Sequence, residues 1–431
     1  MSKFTSAAVA ALVLSSSTYA FAQVADRSYY GGATVSSPSA GQFFARDRYT
    51  AANARSYPGI DPVPVDLGAF QARPVLLLGS RTRSNVFLTD TNEQSDTVVR
   101  IQPSISVAST WSRHRLGFDA AVEHEEFLDL ANQSETTYGV RGFGELDVTS
   151  NFAVAGSLTH QNERESRLSI GGLSGTSLSE RVEFDRNGGE VNALYATDRI
   201  RLTGRVAVNE LDYSDTSGPS GVIIDQDFRD QEAVTVTATA QYAVTRDWAI
   251  IGEVQTEDRE YSAAGSNRDI SGITYRAGAN FELPVNLRGQ VTAQYQDFDP
   301  DDPTLANIQQ TGLSASVQWF PTQLTTATFI ASQSVSDAGN TADSNVLVTR
   351  YGVGLDHELL RTLVLSSDIY LENREFNPSN REDDQTVFSA RANWKVNPNM
   401  QIGAGYRFAT QDSPVNPFDD HSVSITVRFF P

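Results

Sequence analysis

The chain contains no cysteine. This excludes a disulfide framework, a thiolate nucleophile, a cysteine-ligated metal and a lipid-modified N-terminal cysteine. Histidine is scarce, with five residues: His114, His124, His160, His357 and His421. None stands in a G-x-S-x-G or H-E-x-x-H pattern, so no hydrolase elbow or zinc-protease helix is written here. Long apolar runs are missing as well. No segment approaches the roughly 18 consecutive apolar residues that a membrane helix needs, and the mean hydropathy is −0.32. A helical membrane protein is thereby excluded, but a transmembrane barrel is not, because only alternate residues of its strands touch lipid. Positive charge is in deficit too. The 431 residues carry a formal net charge of −20, or −21 once Lys3 leaves with a leader. Nucleic acid is therefore not an expected partner.

What is present begins with an export pattern. Met1–Ala22 holds a basic residue, Lys3, an apolar run Ala7–Leu14, and a small-residue site Ala20-Phe21-Ala22. It is expected to be a secretory signal peptide, since the apolar run is too short to span a bilayer. Residues 23–72 are rich in Ser, Ala, Gly and Pro, with scattered aromatics and a basic cluster Arg46-Asp47-Arg48. With no sustained period of two, they are expected to form an irregular periplasmic segment. A linker is its simplest role; a lumen plug or a docking arm for a periplasmic partner is the alternative.

From Arg73 to Pro431 the pattern changes. Apolar residues recur at every second position, as in Leu116, Phe118, Ala120 and Val122, or Val234, Val236, Ala238 and Ala240. Successive side chains of a strand point to opposite faces, so each such run has one apolar and one polar face. Eight short turns, from Ser112-Arg113 to Asn397–Asn399, alternate with nine longer polar loops, from Ser84–Ser95 to Asp412–Val415. These connections separate eighteen strands, with sixteen as the lower bound. The predicted fold class is all-β: a transmembrane antiparallel up-and-down β-barrel with short periplasmic turns and longer extracellular loops. A lumen that wide cannot be filled by side chains, so the polar face must be the inner one.

The last strand, Ser422–Phe430, is the clearest example. Val423, Ile425, Val427 and Phe429 alternate with Ser422, Ser424, Thr426 and Arg428. It is expected to face lipid with its apolar set and to close the barrel against the first strand near Arg73–Arg83. Trp111, Trp248, Trp319 and Trp394 all lie within about three residues of a short turn, and indole rings prefer the membrane interface. They are expected to form a girdle at the periplasmic rim. On the lumen face the candidates are Arg115, Asp119, Arg201, Arg205, Arg276, Arg288, Asp368, Glu372 and Arg407. Mixed charge of this kind either pairs across strands or tunes passage, and pairing is the simpler reading. Of the tyrosines, only Tyr370 falls clearly on the inward register.

The search for chemistry returns little. His124 stands among Glu123, Glu125 and Glu126, which reads as a solvated strand end. His160 is expected at the outer lipid interface. Acidic groups at Asp297, Asp299, Asp301 and Asp302, at Glu382–Asp384 and at Asp419-Asp420 lack the spacing of a calcium loop and read as solvated loops. No catalytic residue, cofactor or metal is expected.

Four stretches carry a family resemblance: SNVFLTDTNEQSDTVVRIQPSISV (Ser84–Val107), WFPTQLTTATFIASQSVSD (Trp319–Asp337), YGVGLDHELLRTLVLSSD (Tyr351–Asp368), and the close REDDQTVFSARANWKVNPNMQIGAGYRF followed by SVSITVRF. Over about residues 60–430 the chain resembles the putative beta-barrel porin 2 group. The resemblance implies an outer-membrane channel, often set in an exopolysaccharide secretion system. It therefore implies outer-membrane lipid and lipopolysaccharide, the barrel assembly machinery and a periplasmic polysaccharide-export partner as its company. A diffusion or nutrient-uptake porin is the alternative, and an outer-membrane enzyme or adhesin scaffold a third. One departure stands out: the family pattern ends on an aromatic residue, whereas here Phe430 and Pro431 follow Phe429.

Overall fold

The alternating stripe becomes eighteen long antiparallel strands in the computed structural model, which describes residues 48–168, 180–218, 221–263, 268–305, 307–339, 343 and 345–431. The expected signal peptide, residues 1–22, lies outside the described residues. The strands are β1 Phe70–Arg83, β2 Asp96–Ser109, β3 Arg115–Phe127, β4 Glu135–Asp147, β5 Phe152–Arg164 and β6 Glu183–Ala196. They continue with β7 Ile200–Tyr213, β8 Gln231–Ala243, β9 Trp248–Tyr261, β10 Ile270–Leu283, β11 Leu287–Pro300 and β12 Ile308–Thr322. The last six are β13 Thr325–Asp337, β14 Asn345–Leu360, β15 Leu363–Asn377, β16 Glu382–Asn397, β17 Met400–Asp412 and β18 Phe418–Phe429. The first strand begins at Phe70 rather than at Arg73.

Each strand pairs with the next, and β18 returns to β1, with Leu76 opposite Phe429 and Arg83 opposite Ser422. Closure removes the open sheet edges that would otherwise template aggregation. The connections are short at one end, such as Arg361-Thr362 and Pro398-Asn399, and long at the other, where residues 165–182 and 214–230 are the longest. One turn is made by Pro284–Asn286, where Asn286 adopts a φ of 62°, a left-handed conformation that asparagine tolerates.

Burial is inverted relative to a water-soluble fold. On β18, Val423 and Ile425 are 62% and 59% exposed, while Ser424 and Thr426 are 6% and 3% exposed. Phe429 is also exposed, and Val427 is half-buried. In water, exposed apolar area costs about 25 cal/mol per Å²; against lipid it costs nothing. The same alternation runs round the ring, with Leu116, Phe118, Val236, Leu313 and Leu371 exposed on the outer wall and Gln102, Thr292, Gln318 and Ser389 buried on the inner one.

At the seam, β1 runs lower than β18. Part of its uncovered edge is met by Val65-Asp66, which folds back antiparallel onto Ala72 and Gln71. Beyond Phe429, the Phe430 backbone N–H donates to Asn399 O at 2.8 Å, and Asn399 Nδ2 donates to Phe430 O at 2.7 Å. Phe430 is thus tied to the neighbouring short turn.

Candidate functional site: the lumen and its two inward segments

The nine lumen candidates all fall on the inward register, and most are held in cross-strand pairs. Asp119 lies 3.8 Å from Arg141 Nη1, and Arg115 lies over the Phe143 ring at 5.7 Å. Arg205 donates to Glu190 at 2.5 and 2.8 Å, and Arg276 to Glu253 at 2.5 Å. Arg288 donates to Gln318 Oε1 at 3.1 and 2.5 Å. Asp368 accepts from Arg391 at 2.5 Å, and Glu372 accepts from Arg350 and Arg374, each at 2.6 Å. Arg201 is buried beside Leu202 at the base of β7. Arg407 is 5% exposed, and its Nη2 is buried with no hydrogen-bond partner. Lys3 and Lys395 are the only lysines in the chain, so the lumen's cations are otherwise arginines. Arginine keeps its charge when buried and offers a planar fork of donors.

The described part of the N-terminal segment does not hang free. Residues 48–61 run along the inner wall at the short-turn mouth, from the turn before β9 to β16. The Arg48 N–H donates to Glu282 Oε1 at 2.6 Å, and its guanidinium donates to Asp247 at 2.5 Å. Tyr49 donates to Leu283 O at 2.8 Å, stacks on Phe320 at 4.9 Å, and its carbonyl accepts from Arg288 at 2.9 Å. The Ala52 N–H donates to Thr326 at 2.9 Å, Asn53 to Asp356 at 2.9 Å, and Tyr57 to Glu358 at 2.6 Å. Lys395 closes the strap on Asp61. Burial pushes the Asp61 carboxyl up, but the hydrogen bonds from Lys395, Tyr57 and Ser56 outweigh it and hold it below the ordinary aspartate value. Glu282 and Glu358 are 1% and 3% exposed and find their partners in this strap.

At the opposite mouth two loops turn inward. Leu88, from residues 84–95, and Leu168, four residues past the end of β5, pack against Tyr370, Val387, Ala409 and Phe418. The Leu168 carbonyl accepts from Arg374 Nη2 at 2.7 Å. Arg374 stands on β15, half-way round the ring from β5 and β6, so this loop crosses the lumen. Below it lies a cavity of about 590 Å³ whose described lining includes seven arginines and five glutamates. Those glutamates are held: Glu125 by Arg81 at 3.3 Å and Arg181 at 3.4 Å, Glu163 by Arg186 at 3.2 Å, Glu165 by Arg229 at 2.7 Å, Glu135 by Arg181 and Glu123 by Arg100. Arg167, on the crossing loop, donates to Gln133 at 3.0 Å and lies over Phe87. Burial, with Arg181 and Arg83 beside it, pulls Arg167 down to about 10. The described lining carries seven arginines against five glutamates even though the chain is strongly acidic.

The outer wall carries the interface residues. Trp111, Trp248, Trp319 and Trp394 are each about half exposed, next to the short turns. His160 Nδ1 is 2.8 Å from Asn187 Oδ1, and His421 Nδ1 is 2.8 Å from the Tyr406 hydroxyl, both on the outer face near the long loops.

The family model for Putative beta-barrel porin 2 matches residues 57–430. The chain belongs to that family. It is an outer-membrane, porin-like β-barrel. No curated protein matches it. Among solved structures, Acinetobacter baumannii OccAB4 is similar at 12% identity over 84% of this chain and 98% of that one, with a TM-score of 0.47. The outer-membrane protein OpdK of Pseudomonas aeruginosa is similar at 9% identity over 83% and 98%, with a TM-score of 0.46. The FrpB iron transporter of Neisseria meningitidis is similar at 9% identity over 79% and 62%, with a TM-score of 0.43.

Three features of this family member escape sequence reading. Tyr213 and Tyr261 join Tyr370 on the buried inner face, Tyr213 beneath the Arg229 guanidinium at 4.1 Å and Tyr261 beside Arg268 at 5.1 Å. Both sit at strand ends, past the apolar stripe that fixes register. The contacts of the strap escape because its partners lie 199 to 334 residues downstream. Finally, Asp215, Asp225 and Asp227 converge on the 214–230 loop, where Thr216-Ser217 pairs with Ile223-Ile224. The Asp227 carboxyl is raised by its neighbour Asp225, then by desolvation and Asp215. All three are exposed, as mutually repelling surface acids are.

Proposed function

We propose that this barrel is a water-filled outer-membrane conduit serving the secretion of an exopolysaccharide, as the family resemblance implies. The observation that carries the channel reading is the closed eighteen-strand wall with a polar inner face, since barrels of that size enclose an aqueous passage. Residues 1–22 would export the chain, the assembly machinery would insert it among lipid and lipopolysaccharide, and a periplasmic export partner would feed it. Trp111, Trp248, Trp319 and Trp394 would anchor its periplasmic rim. A second reading, a diffusion or uptake porin, is favoured by one feature: the Leu168 loop crosses the lumen and bonds to Arg374, which narrows the mouth to small solutes.

Deletion of the gene separates the two. The export reading expects secreted polysaccharide to fall with small-solute uptake unchanged. Unchanged secretion with lost uptake assigns the porin reading instead. Purified protein in planar bilayers is expected to conduct ions under either.

A further inference from the structure

The arginine-lined cavity holds an open cation. Strand register sets Arg407 opposite Ser422, and Ser422 opposite Arg83, so two arginines stand at one height on either side of the closing strand. One step lower, Ser424 stands between Gly405 and Arg81, so only one arginine flanks it there. Ser422, the small residue between the two arginines, makes a notch in the cavity lining beside Arg83 and Arg407. Arg83 is spoken for by Asp420, at 3.1 and 2.8 Å. Arg407 Nη2 is buried without a partner. A desolvated guanidinium with an unfilled donor is costly to the fold unless something accepts from it.

We propose that this notch binds the carboxylate of an acidic sugar, with Arg407 as the donor and Ser422 as a hydroxyl partner. The inference rests on the conduit reading and names its substrate class. A planar guanidinium matches a carboxylate with two parallel hydrogen bonds. The low dielectric of a half-enclosed cavity strengthens that pair relative to bulk water. The lining glutamates do not compete, because each is already held by an arginine. A volume of about 590 Å³ lies in the usual range of small-molecule sites.

Equilibrium dialysis of the detergent-solubilised barrel with galacturonate and galactose tests the site. Galacturonate is expected to bind at least tenfold more tightly than galactose. Arg407→Gln is expected to lose that preference, Arg407→Lys to keep part of it, and Ser422→Leu, which fills the notch, to lose it with Arg407 in place. Heat-modifiable migration shows which variants are folded, and Ser422→Leu decides if Arg407→Gln is not. Equal binding of the two sugars, no binding of either, or wild-type galacturonate binding by the folded notch variants overturns the proposal. An oligogalacturonide that binds more tightly than the monomer assigns the site to a passing chain; equal binding assigns it to single acids. Potassium chloride conductance of the same preparation separates the failures. Binding without conductance sinks the conduit and spares the site, and conductance without binding does the reverse.

Discussion

Asp61 and Lys395 are single residues that pin the N-terminal strap at the short-turn mouth. Their pair ends the strap that Arg48 begins. Docking holds the Asp61 carboxyl below its ordinary value of 3.8. A depressed carboxylate stabilises the docked state fully above that ordinary value and loses the contribution as pH falls through the docked one. Bilayer conductance is therefore expected to rise in acid below about pH 4 as the strap loosens. Asp61→Asn should show the raised conductance already at pH 7. Equal conductance in wild type and variant at both pH values would mean that the strap does not limit flow. The sequence left a lumen plug as one alternative for residues 23–72 but named none of these contacts. Arg48 and Glu282 are separated by 234 positions and Asp61 and Lys395 by 334, and a composition of Ser, Gly and Pro states only that the segment need not fold by itself.

At the scale of the element, β18 carries its two environments in its own order of residues. The apolar set Val423, Ile425, Val427 and Phe429 and the hydroxyl set Ser422, Ser424 and Thr426 are separated by the pleat alone, so each face was readable from the sequence. Placing a charge on the lipid side should then be costly. Ile425→Arg is expected to reduce folding stability in lipid vesicles by about 2–4 kcal/mol, the range for arginine near the bilayer midplane. Urea titration checks it, and an unchanged midpoint would place Ile425 away from lipid. Glycine has a related local role on β10. Gly272 stands opposite Phe298, and a Cβ there would overlap that ring. The aromatic ring covers a strand position that has no side chain of its own. Strand ends were less readable. Tyr213 and Tyr261 lie where turn and strand compositions merge, and the inward register could not be extended to them without the partner strands.

For the whole molecule, alternating short and long connections fix a direction through the membrane. The chain lacks cysteine, so any introduced thiol is unique. With the long loops outside, Asn92→Cys should react with a membrane-impermeant maleimide on intact cells. Ser112→Cys should react only after the outer membrane is permeabilised. The opposite pattern would invert the barrel. Direction also gives meaning to the two inward segments: a strap at the periplasmic mouth along β9–β16, and a crossing loop above an arginine cavity on the other side.

The sequence by itself determined the barrel: its strand count, which face meets lipid, and the strand that closes it. Those properties depend on a period of two and on turn residues, which act between neighbours in the chain. It also placed Arg407 inward. Only the tertiary structure decided what the lumen contains. Closure brings β17, β18 and β1 side by side, which assigns Asp420 to Arg83 and leaves the Arg407 Nη2 donor open. Closure likewise lets a loop from β5 meet β15, and lets Asp61, ahead of the first strand, meet Lys395 on β16. Contacts across a ring follow from its three-dimensional closure, and no local pattern encodes which residues will face one another there.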